Sequence, residues 1–220
     1  MKRVATGTPG LDNALGGGFP EGDVVLLTGG PGSGKTTLCS QFTEEGLDSG
    51  RDCLYVTTGQ TPKEVREDAQ NFGIDLDLSR EGLAMARVSP SEDVAEDIRE
   101  KVSNRSFDRI VLDSISVFQM NWGEGDHLRK YINKLIQHFK ELEATVLLTS
   151  ERPEATEKLT RFGVAEFLVD GVIVLEGIAL GKTSYRTARV VKMRRTPVDG
   201  SPKTVEFTSS GVKLKPSKDI

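Results

Sequence analysis

Hydrophobic residues along this chain recur with two different periods, and the points where one gives way to the other mark its elements. "DVVLLTG" (23–29) is an unbroken apolar run ending in glycine, the pattern of a strand covered on both faces inside a parallel sheet. From Lys35 to about Leu47 the spacing suits a helix, and "SGRD" breaks it before a second strand, "CLYVTT". Thr61, Pro62 and Glu64 read as the N-cap, first position and capping-box acid of a helix with Val65, Ala69 and Phe72 on its apolar face. The same device recurs after Ser89 through Glu92, ahead of Val94, Ile98 and Val102. "DRIVLD" (108–113) predicts a third strand. Leu128, Tyr131, Ile132, Leu135, Phe139 and Leu142 make an amphipathic stripe, with "ATVLLTS" as the strand after it. Strand and helix alternate, which predicts an α/β fold with a mostly parallel twisted sheet flanked by helices. Beyond Asp170 the runs "GVIVLEG", "YRTARVVKMRR", "KTVEFTSSG" and "VKLKP" predict strands joined by short polar turns, an antiparallel edge added at the C-terminal end.

Composition narrows this only slightly. A chain of 220 residues suits one large α/β domain, so residues 1–220 are expected to form a single domain without internal repeat or linker. No apolar run is long enough to span a bilayer and the start "MKRVATGTPG" lacks a signal-peptide core, so a cytoplasmic location without membrane contact is expected. A net charge of −4 argues against nucleic acid as the main partner. Cys39 and Cys53 fall in apolar stretches and read as buried reduced thiols, and no zinc-ligand spacing is present.

The chemistry concentrates in "GGPGSGKTT". Gly29, four residues, then Gly34, Lys35 and Thr36 form a GxxxxGK[ST] loop between a buried strand and a helix. Gly29, Gly30, Pro31, Gly32, Ser33, Gly34, Lys35, Thr36 and Thr37 are therefore the candidate cradle for a nucleotide's phosphates. Its backbone N–H groups can converge on phosphate oxygens, Lys35 can reach the β and γ phosphates, and Thr36 can hold Mg²⁺. A second "GKT" at 181–183 lacks the first glycine, with Glu at 176, and no helix follows, so it reads as a hairpin turn. Asp113 ends its strand at the carboxyl edge of the sheet, where it can bind Mg²⁺ directly or through water.

"TGTPGLDNALGGGFPEGDVVLLTGGPGSGKTT", "YVTT", "IVLDSIS", "TVLLTSE", "FGVAEFLVDGVIVL" and "RVVKMRRT", in that order, resemble a single KaiC-type domain of the RecA superfamily over nearly the whole chain. The resemblance implies a RecA-like core, a six-membered homo-oligomeric ring, and ATP with Mg²⁺ held between neighbours. It also implies that Lys192 and Arg194 approach the γ-phosphate of the adjacent copy. The two alternate along a strand and so point the same way. Arg195 stands where the family usually has glycine, which leaves the local backbone geometry open.

One departure bears on activity. Related domains follow "YVTT" with two glutamates, one of which polarises the attacking water; here the positions hold Gly59 and Gln60. Loss of a general base removes about 10² to 10⁴ in rate, so nucleotide binding with slow or absent hydrolysis is expected, and Gln60 is the candidate for positioning the water. Glu64 and Glu151 are accounted for by the helix cap and by the family's acid after the strand. The positions that carry an autophosphorylated Ser/Thr pair in some relatives are Glu166 and Phe167 here, with Thr160 too distant, so self-phosphorylation is not expected. The reading is a regulatory or signalling nucleotide-binding ring read by an unidentified protein partner. Two alternatives stand beside it. One is a RecA/RadA paralogue in DNA recombination or repair, for which "SVFQMNWGEGDH" offers Phe118 and Trp122 but also Glu124 and Asp126, and "ERPEATEKLTR" mixes signs. The other is a competent ATPase using another base.

Overall fold

The computed structural model describes residues 1–89, 97–98, 105–118, 125–153, 158–161, 163–180 and 183–216. Its centre is a nine-stranded sheet. The parallel part comprises β3 (Val24–Gly29), β4 (Cys53–Thr57), β5 (Leu83–Arg87), β6 (Arg109–Asp113), β7 (Thr145–Glu151) and β8 (Gly171–Leu180). On the β8 side follow β9 (Thr183–Met193), β10 (Lys203–Thr208) and β11 (Gly211–Pro216), each antiparallel to its neighbour, giving the order β11-β10-β9-β8-β3-β7-β6-β4-β5. The predicted antiparallel C-terminal edge is thus present. A separate two-stranded pair joins β1 (Arg3–Val4) to β2 (Phe19–Pro20), with the one-turn helix α1 (Leu11–Ala14) between them.

Helices α2 (Lys35–Asp48) and α3 (Pro62–Gln70) lie on one face, and α4 (Asp126–Glu141) and the short α5 (Ala165–Leu168) on the other. The central strands read as unbroken apolar runs because both faces are covered. Along β3, Val25 and Leu27 join Leu38 and Phe42 of α2, while Val24 and Leu26 join Ile132 and Phe139 of α4. The period-two alternation of strand side chains thus divides one run between two cores. In α4, Leu128, Ile132, Leu135, Ile136 and Phe139 are buried as the stripe predicts, but Leu142 lies past the helix end and is exposed.

The capping box of α3 is present in both directions. Thr61 Oγ1 accepts from Glu64 N, and Glu64 Oε2 accepts from Thr61 N at 2.6 Å. The helix expected after Ser89 falls almost wholly outside the described residues, although residues 97–98 are helical and Ile98 is buried. Strand β5, "LAMAR", carries neither alternation nor β-branched residues, so its pattern does not announce it. β8 and β9 pair as far as Leu180 opposite Thr183, and residues 181–182 of the second "GKT" lie outside the described residues. Cys39 and Cys53 are buried and unpaired with each other, and burial pushes both thiols up, Cys53 to about 12.

Candidate functional site

The loop Gly29–Thr37 leaves the carboxyl end of β3 and turns into α2. Two of its glycines, Gly29 and Gly34, are required sterically. A Cβ on Gly29 would lie 2.5 Å from the Leu175 carbonyl oxygen, and Gly34 has φ 104°, in the left-handed region. Phe207, on the β10–β11 hairpin, covers the loop from the side, 3.1 Å from where a Gly34 Cβ would stand. Within the turn, Ser33 Oγ is buried without a hydrogen-bond partner. The Lys35 ammonium folds back to donate to the carbonyl oxygens of Gly29 and Gly30, both at 2.8 Å. Burial lowers the Lys35 pKa, with Asp113 and Glu151 acting in the opposite sense.

Strand order brings Asp113 to this loop. β6 lies two places from β3, with β7 between, and the first turn of α2 leans across the gap. Thr36 Oγ1 donates to Asp113 Oδ2 at 2.8 Å. Two partners invisible in the one-dimensional pattern complete the carboxylate's environment. Tyr55 of β4 donates to Oδ2 at 3.2 Å, and Thr149 of β7 donates to Oδ1 at 2.5 Å. Tyr55 is fully buried, and its phenol pKa is raised by desolvation first and by the Asp113 charge second. A hydroxyl within a buried strand is the sequence signal either residue gives.

Gln60 lies just past β4 and, with Thr36, Thr37, Ser40, Asp68, Asn71 and Phe72, lines a cleft of about 320 Å³. Its backbone carbonyl accepts from Thr57 Oγ1 at 3.0 Å, and its side-chain Nε2 donates to Asp68 Oδ2 at 2.6 Å. Asp68 is a carboxylate that sequence reading passed over. Glu64 serves the α3 cap, and Glu151 pairs with Arg161 at 2.9 Å. Gly59 is exposed, and a Cβ at that position would meet nothing within 4 Å.

Lys192 and Arg194 are not brought to the loop of their own chain. Lys192 pairs in register with Val172 at the start of β8, near the amino end of β3, whereas the loop leaves the carboxyl end. Lys192 Nζ donates to the carbonyls of Val169 at 2.6 Å and Glu166 at 3.2 Å. Arg194 donates to Asp170 Oδ1 at 3.2 Å, which also accepts from Lys140 at 3.1 Å. Desolvation, then the Arg194 charge, lowers the Lys192 pKa. Lys192, in β9, and Arg194, one residue past its end, thus both contact the segment 166–170. Arg195 resolves the question its sequence left open. It adopts φ 57°, the conformation glycine favours, and its guanidinium pairs with Asp23, a carboxylate only 1% exposed. Glu166 is buried and accepts from Thr160 Oγ1, while Phe167 beside it is 70% exposed. Trp122 and Glu124 lie outside the described residues, and Phe118 is buried in the core against Tyr131.

Among the described residues no helix is long and apolar enough to cross a membrane, and no group of three or more His, Cys, Asp or Glu side chains is placed to hold a metal. Any cation at Thr36 and Asp113 would therefore need oxygens from its ligand or from water.

Residues 4–219 match the protein family described as "ATPase: KaiC". The chain is 29% identical to the circadian clock protein KaiC3 of Synechocystis over 89% of its length, and 28% identical to the clock oscillator protein KaiC of Picosynechococcus over 98%. It spans 42% and 45% of those two proteins, less than half of each. With the UPF0273 protein MK0039 of Methanopyrus kandleri it shares 30% identity over 99% of this chain and 94% of that one. The crystal structure of the KaiC-like protein PH0186 of Pyrococcus horikoshii superimposes with a TM-score of 0.88 at 32% identity, covering 98% of this chain and 99% of the other.

Proposed function

We propose, for a chain that belongs to the KaiC family of ATPases, that it binds ATP with Mg²⁺ at Gly29–Thr37 inside a homo-oligomeric ring, and that the bound nucleotide is a regulatory signal read by a protein partner. Hydrolysis in this reading is slow or absent.

The observation that carries it is the contact of Thr36 with Asp113 beside a loop that has polar capacity to spare. Ser33 Oγ is buried without a partner, and the Lys35 ammonium is satisfied only by carbonyls of its own loop. An orphaned buried hydroxyl and a desolvated cation are both costly, and an anion at the amino end of α2 would relieve both. The donor set fits a triphosphate. Backbone N–H groups and Lys35 would bind its oxygens, while Thr36 and Asp113 would hold Mg²⁺ directly or through water. The cation supplies charge neutralisation of the phosphates.

At the water side the chain offers a carboxamide. Gln60 can orient a water through its oxygen but cannot take up its proton, so turnover is expected to fall below that of a carboxylate enzyme by about 10² to 10⁴. Lys192 and Arg194 are proposed to act on the phosphates of a neighbouring copy. Their position at the opposite end of the sheet from their own loop supports action between copies rather than within one. Glu166 and Phe167 carry no hydroxyl, which speaks against self-phosphorylation at those positions.

Calorimetry with ATP and Mg²⁺ tests the core of the reading. Uptake by the wild-type chain that disappears in Lys35→Ala is expected, and sizing should show assembly that depends on nucleotide. No uptake by a folded wild-type chain overturns it. A salt titration of single-stranded DNA binding run in parallel would favour the recombination reading if it showed uptake that strengthens with ATP.

A further inference from the structure

The amide of Gln60 is hydrogen-bonded to Asp68, and both residues line the cleft that Thr36 also lines. Gln60 Nε2 donates to Asp68 Oδ2 at 2.6 Å, so one of its two polar ends is committed to the carboxylate. The other, Oε1, is an acceptor with no hydrogen to give. We propose that Asp68 is a positioning residue for hydrolysis, resting on the proposal that ATP binds at the loop. It fixes Gln60 so that Oε1, rather than the NH₂ group, is presented to the attacking water.

Three features make the pairing more than a chance surface contact. Both backbones are anchored. The Gln60 carbonyl accepts from Thr57 Oγ1 at 3.0 Å, and α3 is held by its Thr61–Glu64 capping box and by buried Val65 and Ala69. Only side-chain torsions remain to be set, and one charge-assisted hydrogen bond sets them. Gln60 and Asp68 also line the same cleft as Thr36 and Thr37, so the held amide stands next to the loop rather than on a remote surface. Finally, Asp68 rationalises the residue at position 60. A glutamate there would put two carboxylates within hydrogen-bonding distance, and their repulsion would turn the acid away or force a proton onto the pair. Glutamine is the uncharged residue of the same shape that a carboxylate at 68 holds rather than repels.

The step balances without a protein base. The water oxygen forms a bond to the γ-phosphorus, and the bond from that phosphorus to the bridging oxygen breaks with its electron pair leaving on ADP. The water proton departs on inorganic phosphate. Gln60 Oε1 accepts a hydrogen bond and takes no proton; Asp68 acts through Gln60.

The test joins kinetics to a measurement that does not depend on turnover. In the nucleotide-free protein, the Gln60 side-chain amide should give a shifted, motionally restrained ¹⁵N resonance. It should move to the position of a free glutamine in Asp68→Ala and stay near its original position in Asp68→Asn, whose amide oxygen can still accept. Single-turnover phosphate release by Asp68→Ala should fall roughly tenfold to a hundredfold while calorimetric ATP affinity is retained, and Asp68→Asn should recover most of the rate. In a Gln60→Ala background, removing Asp68 should have no further effect on rate. An unshifted resonance, an Asp68→Asn variant as slow as Asp68→Ala, a persistent effect of Asp68 without Gln60, or a wild type with no measurable turnover would each overturn the proposal. Loss of ATP uptake by the wild type would instead remove the reading on which it rests.

Discussion

Thr36 and Asp113, 77 positions apart in the chain, meet across a 2.8 Å hydrogen bond at the start of α2. The contact requires β6 to stand two strands from β3 and α2 to lean over β7, so it reports the tertiary fold and the site together. If these two oxygens hold Mg²⁺, their loss should separate metal-dependent from metal-independent nucleotide binding. Thr36→Val and Asp113→Asn are each expected to leave affinity for ATP in EDTA within about threefold of wild type, and to remove about tenfold or more of the Mg²⁺-dependent gain. Calorimetry in EDTA and in Mg²⁺ measures both.

Arg194 and Lys192 make a second, sharper case, because they are satisfied by their own chain while facing away from their own loop. Arg194→Ala and Lys35→Ala should each be inactive alone in single-turnover phosphate release. Mixed one to one and assembled with nucleotide, they should recover about a quarter of wild-type activity, since that share of interfaces joins an intact loop to an intact cation. Two inactive proteins that stay inactive after proven co-assembly would place the cations' role elsewhere.

Arg195 combines a strained backbone with a useful charge. Its φ of 57° costs about 1 kcal/mol or more relative to glycine, yet its guanidinium pairs with buried Asp23. Burial raises the Asp23 pKa above 3.8, the nearby Asp170 charge raises it further, and Arg195, Lys140 and Arg194 lower it. Ionised Asp23 therefore costs stability as pH rises through its folded pKa, and removing Arg195 enlarges that cost. The Arg195 side chain is 60% exposed, which discounts the pairing. Arg195→Gly is expected to lose about 1 to 2 kcal/mol at pH 7 and to match or exceed wild type near pH 3, where Asp23 is protonated in both states. Urea unfolding at the two pH values decides the sign.

The α3 cap gives a prediction independent of ligand. Thr61→Ala removes the acceptor for Glu64 N and breaks the reciprocal box, which should cost about 1 kcal/mol and lower the melting temperature by about 2 to 4 °C for a chain of this size. Because Gln60 sits one residue before the cap, the same variant should also broaden the Gln60 side-chain resonance.

The strands that read as unbroken apolar runs, the Thr61–Glu64 box and the glycine-rich strand-to-helix loop were all legible in the chain itself, because each depends on residues within about one turn or one strand of each other. β5 and the two-residue strands β1 and β2 were not, since "LAMAR" has no alternation and two residues have no period. The site divided the same way. Gly29, Gly34, Lys35 and Thr36 announce themselves by spacing. Tyr55, Thr149 and Asp68 do not, because nothing local to a tyrosine in an apolar strand, or an aspartate on a helix surface, says which distant atom it will meet.

The amino-acid order by itself determined the long apolar strands, the capped helix α3 and the glycine-rich turn after β3, since backbone sterics and side-chain period act over a few residues. Only the tertiary structure decided that Asp113 lies under Thr36, that Asp68 holds Gln60, and that Arg195 takes a glycine's conformation above Asp23. Those outcomes depend on strand order and on which charges are desolvated side by side, and both are settled when distant segments pack.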